Sequence, residues 1–224
     1  MSWRLALIDS CGNWPGAIDG AAFASAGEHV ERCATVADPS GHGSRIAQLF
    51  AAANTEIELL LGQVFLSAGP TSGAAVAAAI DWAVAGRANI IHMSLGLAAD
   101  RAVLGSAVRR AIDLDCIIVA SMPARGPPVY PARYPDVIRA TGDARCAPGE
   151  LSCLGPKFFG GCLLFADGGR ADLGSGAHLG GGASIGAAWV TRNILSGPSR
   201  MTASAVVAAL TANARYQGAE HRGC

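Results

Sequence analysis

Short apolar runs alternate along this chain with longer alanine-rich segments of helical period, and that alternation limits the possible folds more than any other feature. The runs are RLALID (4–9), IELLLGQVF (57–65), NIIHMSL (89–95), CIIVAS (116–121) and DVIRAT (136–141), with CLLFA (162–166) as a further candidate. Near-continuous aliphatic runs suit strands covered on both faces, and the helical segments between them supply the covering layers. The expectation is an α/β fold in three layers, a mostly parallel sheet with helices on both faces. Segment 43–53 puts Ile46, Leu49 and Phe50 on one stripe, and segment 73–86 does the same with Val76, Ile80 and Val84. Segments 101–115, 184–196 and 202–214 complete the predicted helices, with Ser and Thr near their starts as N-caps. Residues 142–182 are rich in Gly, Cys and Pro and lack periodicity, which predicts loops with short strands and no second domain. Residues 1–224 are therefore read as one domain.

Composition narrows the partners. Half the residues are hydrophobic (51%), enough for a sizeable core in a chain of 224 residues. Lys plus Arg equals Asp plus Glu at 17 each, so charge gives no reason to expect nucleic acid or anionic lipid, and a neutral ligand or a peptide fits better. No window approaches the roughly 18 uninterrupted apolar residues of a membrane span. The N-terminal MSWRLALIDS meets Asp9 and Ser10 too early for a signal peptide and reads as a buried strand. A cytoplasmic protein with no membrane partner is expected. Cysteines 11, 33, 116, 146, 153, 162 and 224 form an odd set, expected to be mostly reduced, with Cys116 as core filler. Their spacing suits no zinc knuckle, clustered carboxylates for a calcium loop are lacking, and no GxxxxGK[ST] occurs. The glycine-rich GGRADLGSG (168–176) follows no convincing βαβ unit, so no metal, nucleotide or other cofactor is expected.

The residues that carry chemistry come as a set. A serine hydroxyl is a weak nucleophile until a base takes its proton, and the base needs a third group to hold its tautomer. Asp9 ends the first strand in LIDSCG, His42 opens a helix in SGHGSRIA, and Ser184 opens another in GGASIGAA. All three stand at element boundaries, where a rigid scaffold can aim a side chain into a cleft. The order Asp, His, Ser is that of subtilisin. The esterase elbow GxSxG also fits 182–186, but that fold needs its acid and then its histidine after the serine. Here only Glu220 and His221, in a polar tail, follow.

With these residues the chain resembles the subtilisin-like serine proteases. Asp9–Ser10 with Gly12 resembles the family's D-[ST]-G with Cys11 inserted, His42–Gly43–Ser44 its H-G-T, and Gly182 to Gly186 its G-T-S-M-A. IIHMSLG (90–96) is similar to its substrate-binding edge strand and YPARYPDVIRATGD (130–143) to the stretch near its specificity pocket. The resemblance implies a subtilisin-like fold and a serine endopeptidase in which Ser184 attacks, His42 relays the proton and Asp9 orients His42. It also implies that Ser94, Leu95 and Gly96, with Ala120, Ser121 and Met122, wall the pocket for the residue before the scissile bond, and that Gly69 to Ser72 form a second edge. The family's A-G-N segment is missing. Ala124 stands over its oxyanion-binding asparagine, leaving the Ser184 backbone N–H, with Asn54, Ser121 and Arg125 as replacement candidates.

Asp9 already lies in the first strand, so no precursor segment is expected, and an enzyme active at once inside its own cell needs narrow specificity. The implied substrate is a peptide or small protein precursor that loses a leader, and the implied partner is the enzyme that modifies the same precursor. The competing expectation is a pseudoprotease that binds and escorts a peptide, suggested by Ala124 and Cys11. His92, among apolar neighbours, reads as a satisfied core histidine. Trp82 and Trp189 read as packing residues, and Arg133 and Asp136 as either pocket-facing or solvated.

Overall fold

The computed structural model describes residues 2–26, 29–53, 56–67, 69–165, 181–199 and 201–220. Its elements in chain order are β1 (Trp3–Asp9), β2 (Ala17–Ala26), β3 (His29–Cys33), α1 (His42–Ala51), β4 (Ile57–Gln63), α2 (Gly73–Ala85), β5 (Ile90–Met93) and α3 (Ala102–Asp113). There follow β6 (Ile117–Ser121), β7 (Ile138–Gly142), β8 (Leu151–Gly155), β9 (Phe158–Gly161), α4 (Gly181–Leu195), α5 (Ala203–Asn213) and β10 (Tyr216–Gln217).

The strands form one sheet in the order β10-β8-β9-β7-β6-β5-β1-β4-β2-β3. From β9 to β2 neighbouring strands run parallel, and the antiparallel pairs β2–β3 and β8–β9 occur towards the edges. Along β1, Trp3, Leu5 and Leu7 point into one core and Ala6 and Ile8 into the other, the two-residue alternation of a strand. The first core is closed by α1, α4 and α5, through Phe50, Trp189 and Leu210 among others. The second is closed by α2 and α3, through Ile80 and Leu104 among others. The fold is thus a three-layer α/β sandwich, and the need to bury both faces explains the unbroken aliphatic runs.

The predicted helices form close to their expected bounds. Ser72 and Thr202 accept from the Ala75 and Ala205 backbone N–H groups and cap α2 and α5. Two expectations change. Residues 162–165 carry no extended strand, because β8 and β9 pair just before them as a hairpin of small and aromatic residues; Ala166 lies outside the described residues. The β2–β3 hairpin was not anticipated, since β3 (HVERC) is a largely exposed polar edge without alternation.

Strand order places the site. The chain passes from β1 through the β2–β3 hairpin and α1 to β4 on one side, then through α2 to β5 on the other side of β1. The carboxyl end of β1 is therefore a topological switch point, the place where open α/β sheets bind their ligands between connections that diverge to opposite faces. Asp9 ends β1. Among the described residues no helix is long and apolar enough to cross a membrane.

Candidate active site

Parallel register brings the candidate residues together. Leu7 stands opposite His92 and Ile8 opposite Met93, so Asp9 continues that register to Ser94, one strand spacing away. Met93 stands opposite Ala120 on the other side, which sets Ser94 beside Ser121. Asp9, Ser94 and Ser121 thus line up across the carboxyl ends of β1, β5 and β6.

Asp9 is buried and its Oδ1 lies 2.9 Å from His42 Nδ1. The same oxygen accepts from the Ser10 N–H at 2.7 Å and the Ser10 hydroxyl at 3.1 Å. This pairing holds His42 in the tautomer with Nδ1 protonated, leaving Nε2 as the base. The Asp9 carboxylate raises the His42 pKa above its ordinary value, against the opposing effect of burial.

His42 is aimed by a local net that sequence reading missed. The N-cap of α1, Gly41, has φ 70° and no side chain to cap with. Asp38 substitutes: its carboxylate accepts from the Gly41 N–H at 2.9 Å, the Ser44 N–H at 2.8 Å and the Ser44 hydroxyl at 2.7 Å. These bonds outweigh burial and lower the Asp38 pKa. Ser10 Oγ accepts from the Gly43 N–H at 3.0 Å, tying the helix start to β1. Gln63, fully buried at the end of β4, donates to Ser10 O at 2.8 Å and accepts from the Val36 N–H at 2.8 Å, fixing the approach to α1. Gly43 must be glycine because a Cβ there would lie 2.4 Å from the Cys11 nitrogen. An aspartate shortly before a helix start was the one readable signal for Asp38.

Ser184 is buried in the first turn of α4, the fourth helical residue rather than the first. Its hydroxyl donates to Ser94 O at 3.2 Å, and no hydrogen bond joins it to His42 among the described residues. The helix start provides a positive local field that favours developing negative charge. Ser94, whose carbonyl accepts the Ser184 hydroxyl, follows Met93 on the strand paired with β1, which puts Ser184 against the strand next to the one that ends in Asp9.

Of the remaining expected residues, Ser94 turns its hydroxyl inward, 2.6 Å from His92 Nε2. Leu95, Ala120, Ser121 and Met122 are buried, and Gly96 is exposed with its Cα face against Val129. Ser121 donates to Leu95 O at 3.4 Å, joining the two expected walls. Beyond them Leu97 and Tyr130 pair antiparallel. Ser72 is engaged as the α2 cap. Ala124 and Arg125 lie in an exposed segment after β6, and Asn54, the 168–176 glycine segment, His221 and Cys224 lie outside the described residues. Trp82 packs against Phe23, Trp189 donates to Leu164 O, Arg133 lies over the Tyr130 ring, and Asp136 pairs with Lys157. Among the described residues no group of three or more His, Cys, Asp or Glu side chains is placed to hold a metal ion, and cysteines 11, 33, 116, 146, 153 and 162 are unbridged.

A buried aspartate paired with a half-buried histidine at the switch point of a parallel sheet, with a buried serine held against the neighbouring strand's Ser94, makes a site suited to nucleophilic chemistry. The chain's sequence relatives are bacterial proteases. It is 33% identical over 132 residues to the thermostable alkaline protease of Halalkalibacterium halodurans, covering 54% of this chain and 37% of that protein. It is 29% identical over 147 residues to the minor extracellular protease Epr of Bacillus subtilis, covering 60% of this chain and 22% of that protein. The matches thus span well under half the length of these relatives. A solved structure of the prenylagaramide maturation protease PagA superimposes with a TM-score of 0.47 at 20% identity, over 63% of this chain and 53% of that one. No family model matches.

Proposed function

We propose that the chain is a subtilisin-like serine endopeptidase in which Asp9, His42 and Ser184 form the catalytic triad. The 2.9 Å pairing of His42 Nδ1 with Asp9 Oδ1 is the observation that carries this reading. Similarity to two bacterial proteases supports it. Ser184 turns from Ser94 O toward His42 Nε2, gives up its proton and adds to the scissile carbonyl. His42 then protonates the leaving amine, and water hydrolyses the resulting acyl-enzyme by the same relay in reverse. Developing negative charge sits at the start of α4. Residues 94–96 and 120–122 wall the pocket that takes the peptide residue before the scissile bond.

The proposed role is maturation inside the cytoplasm: one cut that removes a leader from a peptide or small protein precursor. On this reading the chain is a counterpart of the intracellular subtilase that trims the leader of the cross-linked small subunit of quinohemoprotein amine dehydrogenase, whose modifying enzyme would then be the partner. Ala124 in place of an oxyanion-binding asparagine suits a slow enzyme whose specificity comes from docking. To test this, the chain is incubated with that leader-bearing precursor and, separately, with unfolded casein, and products are read by intact mass. One internal cut in the precursor, absent with Ser184→Ala and with casein untouched, is expected. Equal cutting of both substrates removes the narrow-specificity reading.

A second reading, a pseudoprotease that escorts a peptide, is favoured by Ala124 and by the engagement of the Ser184 hydroxyl with Ser94 O. It requires precursor binding with no cutting, and Ser184→Ala that leaves function unchanged.

A further inference from the structure

His92 lies on β5, fully buried, with its ring edge-on to Phe50 at 5.0 Å between centroids. Both ring nitrogens have partners: Nδ1 lies 2.8 Å from Thr191 Oγ1 on α4, and Nε2 lies 2.6 Å from Ser94 Oγ. Burial lowers its pKa to about 3, with the charge of Asp9 opposing and that of His42 assisting. The ring is therefore neutral, with one nitrogen donating and the other accepting.

Proton counting gives the chain a direction. Ser94 has one hydroxyl proton, and its Oγ also lies 3.3 Å from Ser184 O. When that proton goes to the Ser184 carbonyl, the Ser94 oxygen must accept from His92 Nε2–H. The Nδ1 lone pair then accepts from the Thr191 hydroxyl. The reverse assignment, Ser94 to His92 to Thr191, leaves the Ser94–Ser184 contact without a proton. Only the first direction satisfies every contact. Ser94 then grips Ser184 twice, donating to its carbonyl and accepting its hydroxyl at Ser94 O, 3.2 Å away.

We infer that His92, as the neutral Nε2–H tautomer, is a positioning residue that locks Ser94 onto Ser184 and so sets the first turn of α4 and its hydroxyl. The inference rests on the reading of Ser184 as nucleophile. Thr191, seven residues further along α4, closes the loop, so the helix that carries the serine also carries the group that fixes the tautomer. Ordinary core packing needs none of this polar sequence; a buried apolar side chain at position 92 fills the same space.

The test uses the full chain. ¹⁵N spectra of the histidine rings near neutral pH should show His92 as the Nε2–H tautomer. Thr191→Val keeps the shape and deletes the donor. It should slow the second-order labelling of Ser184 by a small fluorophosphonate about tenfold, the worth of roughly one hydrogen bond, and Thr191→Ser should restore the wild-type rate. The ¹³C carbonyl shift of Ser184 should move in the Val variant and return in the Ser variant. An Nδ1–H tautomer, or a Val variant that labels at the wild-type rate with only a lowered melting temperature, overturns the inference. If wild-type protein takes no label at Ser184, the nucleophile reading fails. The carbonyl shift then decides the positioning alone: movement with Thr191→Val sustains it, and an unchanged shift overturns it.

Discussion

At the residue scale, the Asp9–His42 pair makes activity and stability respond to pH in opposite directions. The Asp9 carboxylate raises the His42 pKa, and the base works only when deprotonated. The acid limb of kcat/KM should therefore lie above about pH 6.5, the ordinary histidine value. The stabilisation from the pair runs the other way: it is fully present below the unfolded value and is lost as pH rises through the raised one. Asp9→Asn removes the charge and the tautomer control. It should move that limb down and cut kcat by about ten-thousand-fold, as read in a pH–rate profile. Ala124→Asn makes a complementary test. In subtilisin the equivalent donor is worth about a hundred- to a thousand-fold in kcat. Restoring it should raise turnover at least several-fold if the segment after β6 faces the oxyanion, and an unchanged rate denies it that place. Asp9, His42 and Ser184 could be proposed from the sequence because each sits in a short local motif, and the Asp9–His42 contact is the part of that set the structure brings together. Gln63, Asp38 and the inward hydroxyl of Ser94 were not, since their roles arise from contacts between strands and loops distant in sequence.

At the element scale, α4 approaches the sheet backbone to backbone. A Cβ on Gly186 would lie 2.0 Å from Thr141 O and 2.6 Å from Gly142 Cα, atoms of β7 that cannot rotate away. Gly186→Ala should force the helix outward and cost about 3 kcal/mol, read as a lowered urea midpoint, and should slow Ser184 chemistry with it. Thr202→Ala loses the α5 cap and should cost about 1 kcal/mol while leaving labelling of Ser184 unchanged, because α5 lies away from the site. The helices were legible because each keeps one apolar stripe over several turns. Short strands were expected within 142–182, but a glycine- and cysteine-rich stretch without periodicity gave β8 and β9 no positions, and β3 was hidden because an exposed edge has no buried face to write into its sequence.

At the scale of the whole molecule, one sheet divides two cores, and every connection that carries a candidate residue leaves it at the same end. The sequence announced the layers but not the strand order, and the order makes the end of β1 a switch point. Away from that point, Asp143 is buried and bound by Arg145 in a two-pronged pair, Nε to Oδ1 and Nη2 to Oδ2. Burial pushes its pKa up, but the Arg145 hydrogen bonds prevail and hold it at about 2. Stability from this pair should be present above about pH 4, the ordinary aspartate value, and lost as pH falls through about 2; urea midpoints across that range check it. The proposed function stands or falls with an activated Ser184. Intact-mass analysis after treatment with a small fluorophosphonate tests that claim most directly, with Ser184→Ala and His42→Ala as controls. One adduct is expected, mapped to Ser184 and lost in both variants. No adduct under conditions that label an active control protease, or one that persists in either variant, would contradict it.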